Sequence, residues 1–166
     1  MYIEELDQDI AIASVVEAES LVASQPGYWN VISICDGLAD RARLVGARDL
    51  LQLHFDDIED MYLSLGGIIA TKEDITRALR FAREVKNDPL LIHCTAGVSR
   101  STAVAWIVTY DKLRGQPDAA RKALDIVRAV RPMLIPNRHV LKLGIAVLGK
   151  SRAERQQLRR DLAEVL

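Results

Sequence analysis

The chain places a nucleophilic thiol and a permanent cation at the two ends of one short loop. Cys94 and Arg100 enclose residues 95–99, which are all small, and the apolar run Leu90–His93 precedes the cysteine. A lone cysteine on a buried strand is usually an inert apolar side chain, and a lone arginine at a helix start is usually a solvated charge. Together, at a strand-to-helix junction, they instead predict a nucleophile beside an anion site.

The loop itself has the composition of a phosphate cradle. Its predicted phosphate-binding residues are Thr95, Ala96, Gly97, Val98, Ser99 and Arg100. Backbone N–H groups would converge there at a helix N-terminus, where the helix dipole adds positive potential. The guanidinium of Arg100 can hold two phosphoryl oxygens. The same field favours the thiolate of Cys94, which would attack a bound phosphorus atom.

Two neighbours of the thiol take supporting roles in this prediction. Ser101 can donate a hydrogen bond to the sulfur and so stabilise it as the leaving group of a second step. His93 is expected to brace the loop by hydrogen bonding rather than to act as a base. Positions 95, 96, 98 and 99 carry no lysine or arginine, so the loop offers no additional cations for further phosphates.

Strand and helix patterns alternate along the chain, and this alternation predicts how the loop is held. We expect an α/β fold: a single domain whose central, mostly parallel twisted sheet is flanked by helices. The predicted strands are residues 30–35, 50–55 and 90–93. The predicted helices open at Ser14 (a capping box with Glu17) and cover 71–86, 100–114 and 117–131, with one more after 135–137 and one in 150–166.

The composition of the chain argues against several classes of protein. The 166-residue chain has a net charge of −1, so no global field would recruit nucleic acid or an anionic membrane. Two cysteines do not form a disulfide framework, and the acidic N-terminal residues lack a signal-like apolar segment. We therefore expect a cytoplasmic protein with reduced thiols. We expect no metal or other cofactor, because the helix terminus and Arg100 already supply positive charge.

Three segments together resemble a known enzyme family. The segment HCTAGVSRS is similar to the H-C-x5-R-[ST] signature of cysteine-dependent protein tyrosine phosphatases, with wording nearest to the dual-specificity branch. The segments NVISICD and VRAVRPMLIPN resemble further elements of that family. The resemblance runs from about Asp9 to Gly149. It implies a dual-specificity phosphatase-like core as a phosphatase domain in residues 1–149, followed by a charged helical tail in 150–166.

The resemblance also implies a general acid upstream of the loop. In that family the aspartate stands two positions after an aromatic residue. In the segment HFDD this spacing from Phe55 selects Asp57, and Asp56 is the alternative acid. Such a residue protonates the leaving oxygen and then activates water. The competing interpretation is that the acidic residues of this segment are simply solvated loop charges.

The second cysteine has two interpretations. Cys35 ends a predicted strand, where some relatives, including a branch acting on phosphoinositides, carry a cysteine that forms a reversible disulfide with the nucleophile. Cys35 is therefore a possible redox partner of Cys94. The alternative is a buried thiol that packs as a small apolar residue.

The sequence thus predicts a protein-tyrosine or dual-specificity phosphatase that acts through a phosphocysteine intermediate. A short core implies a shallow pocket, which would admit phosphoserine and phosphothreonine as well as phosphotyrosine. The expected partner is a phosphorylated protein or peptide, with no nucleic acid and no membrane. Two alternatives remain open: a phosphoinositide or RNA 5′ phosphatase with the same chemistry, and a catalytically weak phosphate-binding module.

Overall fold

The predicted α/β architecture is confirmed by the computed structural model, which describes residues 1–36, 41–60 and 66–163. These residues contain five strands and six α-helices. The strands are β1 (Tyr2–Ile3), β2 (Gln8–Ala13), β3 (Asn30–Cys35), β4 (Asp49–His54) and β5 (Leu90–His93). The helices are α1 (Val15–Ser24), α2 (Lys72–Val85), α3 (Arg100–Leu113), α4 (Ala119–Val130), α5 (Arg138–Leu148) and α6 (Arg152–Ala163).

One twisted sheet runs through the molecule in the order β1-β2-β5-β3-β4. Strand β1 pairs antiparallel to β2, and all other pairs are parallel. The strand β5 lies at the centre, so its carboxyl end is flanked by the ends of β2 and β3. In an open parallel sheet this is the edge where ligands bind.

Helices cover both faces of the sheet. A small cluster of apolar side chains, including Ala18 and Val22 of α1, packs on one face, and the larger cluster lies between the other face and α2–α6. Helix α3 is buried almost along its whole length because it lies between the sheet and its neighbouring helices. The contact with α5 is close: a Cβ on Gly144 would lie 2.5 Å from the side chain of Ile107.

Two predicted helix starts are confirmed with their caps. Ser14 accepts a hydrogen bond from the Glu17 N–H, and the Glu17 carboxylate accepts from the Ser14 N–H. Thr71 and Asp74 form the same reciprocal capping box at the start of α2. Each box satisfies N–H groups that a helix leaves without intrahelical partners.

The N-terminal edge was not predicted. β1 and the 3₁₀ helix Glu4–Leu6 precede β2, which itself corresponds to an apolar run that sequence alone did not assign to the sheet. A strand of two residues carries no periodicity of its own. It forms because β2 offers it a free edge, which is a tertiary condition.

The predicted tail helix is α6. Its side chains Leu158 and Leu162 are 3% and 7% exposed and belong to the larger apolar cluster, so α6 packs on the body of the fold along one face. The tail's last residues, 164–166, lie outside the described residues. The division of the chain at residue 149 stays a prediction.

Candidate active site

Cys94 lies directly after the central strand, at the carboxyl edge of the sheet. Its side chain is 1% exposed, and its N–H donates to the Ala13 carbonyl at 3.4 Å. This bond ties the start of the loop to the end of β2. The nucleophile candidate is thus held by two neighbouring strands rather than by the loop alone.

The loop after Cys94 needs a glycine. Gly97 has φ +71°, and a Cβ there would lie 2.5 Å from the Ala13 carbonyl carbon. The carbonyls of Val98 and Ser99 point outward and accept from the N–H groups of Ile135 and Asn137. Among the described residues, no backbone carbonyl accepts a hydrogen bond from the N–H groups of residues 95–99. These donors are therefore available to an anion at the N-terminus of α3.

Among the described residues, the guanidinium of Arg100 forms hydrogen bonds to the protein through its two terminal nitrogens only. Its Nη1 donates to the Phe55 carbonyl at 2.8 Å and to the Asp36 carboxylate, while Nη2 donates to Thr95 Oγ1 at 3.0 Å. Its Nε is buried and has no hydrogen-bond partner in the described chain. A buried charged donor without an acceptor is costly, so the Nε edge is the place where an anionic ligand would bind.

Ser101 lies where the sequence predicts. Its Oγ is 3.2 Å from Cys94 Sγ, and both side chains are buried. The hydroxyl is close enough to stabilise a thiolate by hydrogen bonding. It comes from the first turn of α3, so the helix that ends the loop also holds the sulfur.

The expected hydrogen bond from His93 is absent. The ring is fully buried, and neither of its nitrogens has a hydrogen-bond partner in the part of the chain that the structure describes. Burial lowers the pKa of His93 to about 4, because the charged imidazolium is poorly solvated there. His93 is therefore a neutral, buried ring next to the cysteine, and its predicted bracing role stays a prediction.

The two candidate acids have different surroundings. Asp57 accepts from Ser99 Oγ and from Asn137 Nδ2, both at 2.7 Å, and its carboxylate lies 3.9 Å from Arg100 Nε. Asp56 is turned toward its own loop, where its carboxylate accepts from the Ile68 N–H at 2.7 Å. The structure therefore brings Asp57, and not Asp56, to the phosphate loop.

Cys35 lies at the end of β3, the strand next to β5, and its thiol is free. It ends β3 with its Sγ 3.4 Å from Ser33 Oγ, and both cysteines are free thiols. Because Ser33 is in register with His93, the alternation of side chains directs Cys35 and Cys94 to opposite faces of the sheet. A disulfide between them stays a prediction.

Two site residues escaped the sequence analysis. Asp36 follows β3 and pairs with Arg100, while also accepting from Thr95 Oγ1 at 3.1 Å. Asn137 caps α5 through its Oδ1 and also donates from its Nδ2 to the Asp57 carboxylate. The parallel neighbours β3 and β5 end side by side, which is the signal that could have placed Asp36 at this edge.

The described residues contain neither a metal-binding cluster nor a membrane-spanning helix. No group of three or more His, Cys, Asp and Glu side chains in this part of the chain could hold a metal ion. None of its helices is both long and apolar enough to span a membrane.

With the geometry established, the chain can be compared with known proteins. No family model matches the sequence, and no curated protein matches it. Solved structures do match. DUSP15 has a TM-score of 0.60 at 19% identity, covering 91% of this chain and 90% of that one.

Two further structures extend the comparison. The PTP-2 phosphatase of Cydia pomonella has a TM-score of 0.57 at 23% identity, covering 82% of this chain and 83% of that one. PTPMT1, solved with PI(5)P, has a TM-score of 0.54 at 13% identity, covering 98% and 99%. The chain therefore has the fold of the dual-specificity and other cysteine-based protein tyrosine phosphatases.

Proposed function

We propose that the protein is a phosphomonoesterase that hydrolyses phosphotyrosine, and phosphoserine or phosphothreonine, through a phosphocysteine intermediate. The observation that carries this proposal is the buried Nε of Arg100, which has no hydrogen-bond partner among the described residues and lies at the same helix terminus as the thiol of Cys94. An anion bound there would satisfy the guanidinium and the free loop N–H groups together. It would also bring its phosphorus atom to the sulfur.

In the first step the Cys94 thiolate attacks phosphorus. The S–P bond forms while the P–O bond to the leaving group breaks, and Asp57 donates its proton to the leaving oxygen. The equatorial phosphoryl oxygens carry the developing charge, which Arg100 and the loop N–H groups stabilise. Dephosphorylated alcohol or phenol leaves.

In the second step water attacks the phosphocysteine. The ionised Asp57 takes a proton from the water, a new P–O bond forms and the S–P bond breaks. Ser101 Oγ, 3.2 Å from the sulfur, stabilises the thiolate as it departs. Inorganic phosphate is released, and both Cys94 and Asp57 return to their starting states.

A second candidate substrate class is a phosphoinositide. PTPMT1, which shares the fold over nearly the whole chain, was solved with PI(5)P. Against this candidate, residues 95, 96, 98 and 99 of the loop are Thr, Ala, Val and Ser, so they supply no cations for further phosphates. We therefore favour a phosphoprotein substrate.

Hydrolysis of a small aryl phosphate, measured with a chelator present, tests the chemistry. We expect turnover by the reduced protein that is abolished in Cys94→Ser, because serine is a much weaker nucleophile in a site that activates a thiol. Rapid quenching with labelled substrate should trap phosphate on Cys94. Tight vanadate binding without any turnover would instead support the phosphate-binding module.

The acid is tested by a pair of neighbouring substitutions. Asp57→Asn should lower kcat about 100-fold for an aryl phosphate with a poor leaving group, because the leaving oxygen no longer receives a proton. The fall of activity on the alkaline side of the pH profile should disappear in the same variant. Asp56→Asn is the matched control and should keep both the rate and the profile. Equal losses in the two variants would contradict the assignment of Asp57.

A further inference from the structure

An apolar groove lies on the surface formed by α4, the segment 132–136, α5 and α6. Its volume is about 630 Å³, and its floor is made by the side chains of Leu141, Ile145 and Leu162. At one end of the groove, Ile135 is 71% exposed, and the nearby Met133 is 73% exposed. Exposed apolar side chains beside a groove with an apolar floor are typical of a binding surface.

The rim of the groove is basic. Its charged lining residues are Arg128, Arg138, Lys142 and Arg159, and no acidic side chain lines it among the described residues. Within the described chain, Lys142, Arg138 and Arg159 form no ion pair through their side chains, and Arg128 has only a 3.9 Å contact with Asp125. The protein's net charge of −1 therefore conceals a local cationic surface.

Helix α6 extends this basic rim because its charges are segregated. Its acids lie on the side away from the groove: Glu154 pairs with Arg114, and Asp161 accepts from Gln157. Its arginines Arg152, Arg155 and Arg159 line a small pocket that shares Arg159 with the groove. The charged side chains of α6 thus form one basic and one acidic face.

The groove begins at the phosphate loop. Ile135 lines the groove, and its N–H donates to the Val98 carbonyl at 3.0 Å. Asn137, two residues further, donates from its backbone N–H to the Ser99 carbonyl and holds Asp57 through its side chain. A ligand lying in the groove is therefore next to the residues that would bind a phosphoryl group.

We propose that this groove binds an acidic segment with large apolar side chains in the phosphoprotein substrate, to one side of the phosphorylated residue. The inference rests on the proposed phosphatase function and adds a substrate preference to it. Apolar side chains would fill the floor over Leu141 and Ile145, while carboxylates would pair with Lys142 and Arg159 at the rim. A concave groove fits a peptide chain, whereas a flat lipid surface would leave its floor unfilled.

The test first measures binding without catalysis. A fluorescein-labelled, unphosphorylated peptide of alternating Glu and Leu is titrated with the full chain, and fluorescence anisotropy gives the Kd. In the K142E/R159E variant the Kd should rise about tenfold, since two attractive pairs become repulsive. R160E is the matched control: Arg160 is exposed on the same helix and does not line the groove, so its Kd should be unchanged. If the charge-reversal variant does not fold, K142Q/R159Q takes its place. Its Kd should rise by a smaller factor, because the attractive pairs are lost but no repulsion is added.

A second measurement connects the groove to turnover. K142E/R159E should lower kcat/KM about tenfold for a phosphopeptide with a Glu-Leu flank, and should leave kcat/KM for a small aryl phosphate unchanged. If the wild-type chain hydrolyses neither compound, the proposed function fails, while the anisotropy result still decides whether the groove binds.

Three results would overturn the inference. One is equal weakening by R160E, which would indicate a general charge effect. Another is equal affinity for a Gln-Leu peptide, which would remove the role of acidic side chains. The third is binding to phosphatidylserine vesicles that K142E/R159E abolishes while the peptide does not bind, which would assign the surface to a membrane.

Discussion

At the scale of single residues, the site depends on which nitrogens of the Arg100 guanidinium bond to the protein and which remain for a ligand. Nη1 of Arg100 donates to Asp36 and to the Phe55 carbonyl, whereas Nε has no hydrogen-bond partner among the described residues and lies 3.9 Å from the Asp57 carboxylate. Because a guanidinium is planar and rigid, holding one end orients the other. Under the proposed function, Asp36 would position the Arg100 guanidinium for the phosphate and would not itself react.

Asp36→Asn should weaken anion binding more than it slows chemistry. Removing the charge lets the guanidinium rotate, so we expect KM for an aryl phosphate and the vanadate inhibition constant to rise about tenfold, with kcat changed much less. Asp49→Asn, at an exposed carboxylate of β4, is the control. Tighter vanadate binding in Asp36→Asn would show that Asp36 competes with the ligand instead.

The burial of His93 predicts that the stability of the fold depends on pH. Burial lowers its pKa from 6.5 in the unfolded chain to about 4 in the fold, so the unfolded state binds the proton first as the pH falls. The contribution of the neutral ring is complete above pH 6.5 and is lost between 6.5 and about 4. Urea unfolding of the wild type and of His93→Gln, compared across this range, should show the steeper decline in the wild type. An NMR titration of the ring centred near pH 6.5 would contradict this prediction.

At the scale of elements, an ion pair joins α1 to the segment after α4. Arg131 Nη1 lies 3.0 and 3.1 Å from the two carboxylate oxygens of Glu17, and Arg131 Nη2 also donates to the Ala96 carbonyl of the phosphate loop at 3.4 Å. The same Glu17 completes the capping box of α1. One carboxylate thus links a helix start and the segment that supports the loop.

The Glu17–Arg131 ion pair predicts that the wild type is more stable than Glu17→Gln at neutral pH, and that this difference disappears in acid. Arg131 first, and then the Ser14 N–H, lower the pKa of Glu17 from 4.5 to about 2. The stabilisation is therefore present above pH 4.5 and is lost as the pH falls from 4.5 toward 2. Glu17→Gln should lower Tm at pH 7 and have a shrinking effect below pH 4.5, whereas Glu84→Gln, on the exposed side of α2, should have little effect at either pH. A pH-independent difference would point to the lost cap alone.

At the scale of the whole molecule, α6 belongs to the packed fold. Leu158 is 3% exposed within the main apolar cluster, although the rest of the helix is strongly polar. The helix closes the far side of α4 and α5, next to the groove. Its attachment therefore bears on both stability and the proposed substrate preference.

Truncating Leu158 tests this attachment. Leu158→Ala should lower the free energy of unfolding by about 2 to 3 kcal/mol, since it removes buried methyl groups and leaves a cavity. Gln156→Ala, at an exposed position of the same helix, should change it by less than about 0.5 kcal/mol. Urea unfolding followed by circular dichroism measures both. Equal, small changes would mean that α6 contributes little to the fold.

Local patterns were sufficient for the elements that build the site. The apolar run of β5, the small residues of the loop and the helical pattern of α3 adjoin in sequence, so their order predicts a strand, a turn and a helix dipole at one point. The capping boxes at Ser14 and Thr71 are equally local, because donor and acceptor are three residues apart. For the same reason, the sequence alone places Cys94, Arg100 and Ser101 together.

Only the tertiary structure decided which distant groups meet these residues. Asp36 and Asp57 reach Arg100 because β3 and β4 run parallel to β5 and end at the same edge, and strand order is not written in any local pattern. Within the described chain the buried ring of His93 has no hydrogen-bond partner, and helix packing divides the charges of α6 between two faces. The sequence by itself determined which side chains the loop brings together. Long-range packing determined its charged partners, because burial and charge pairing depend on neighbours far apart in the chain.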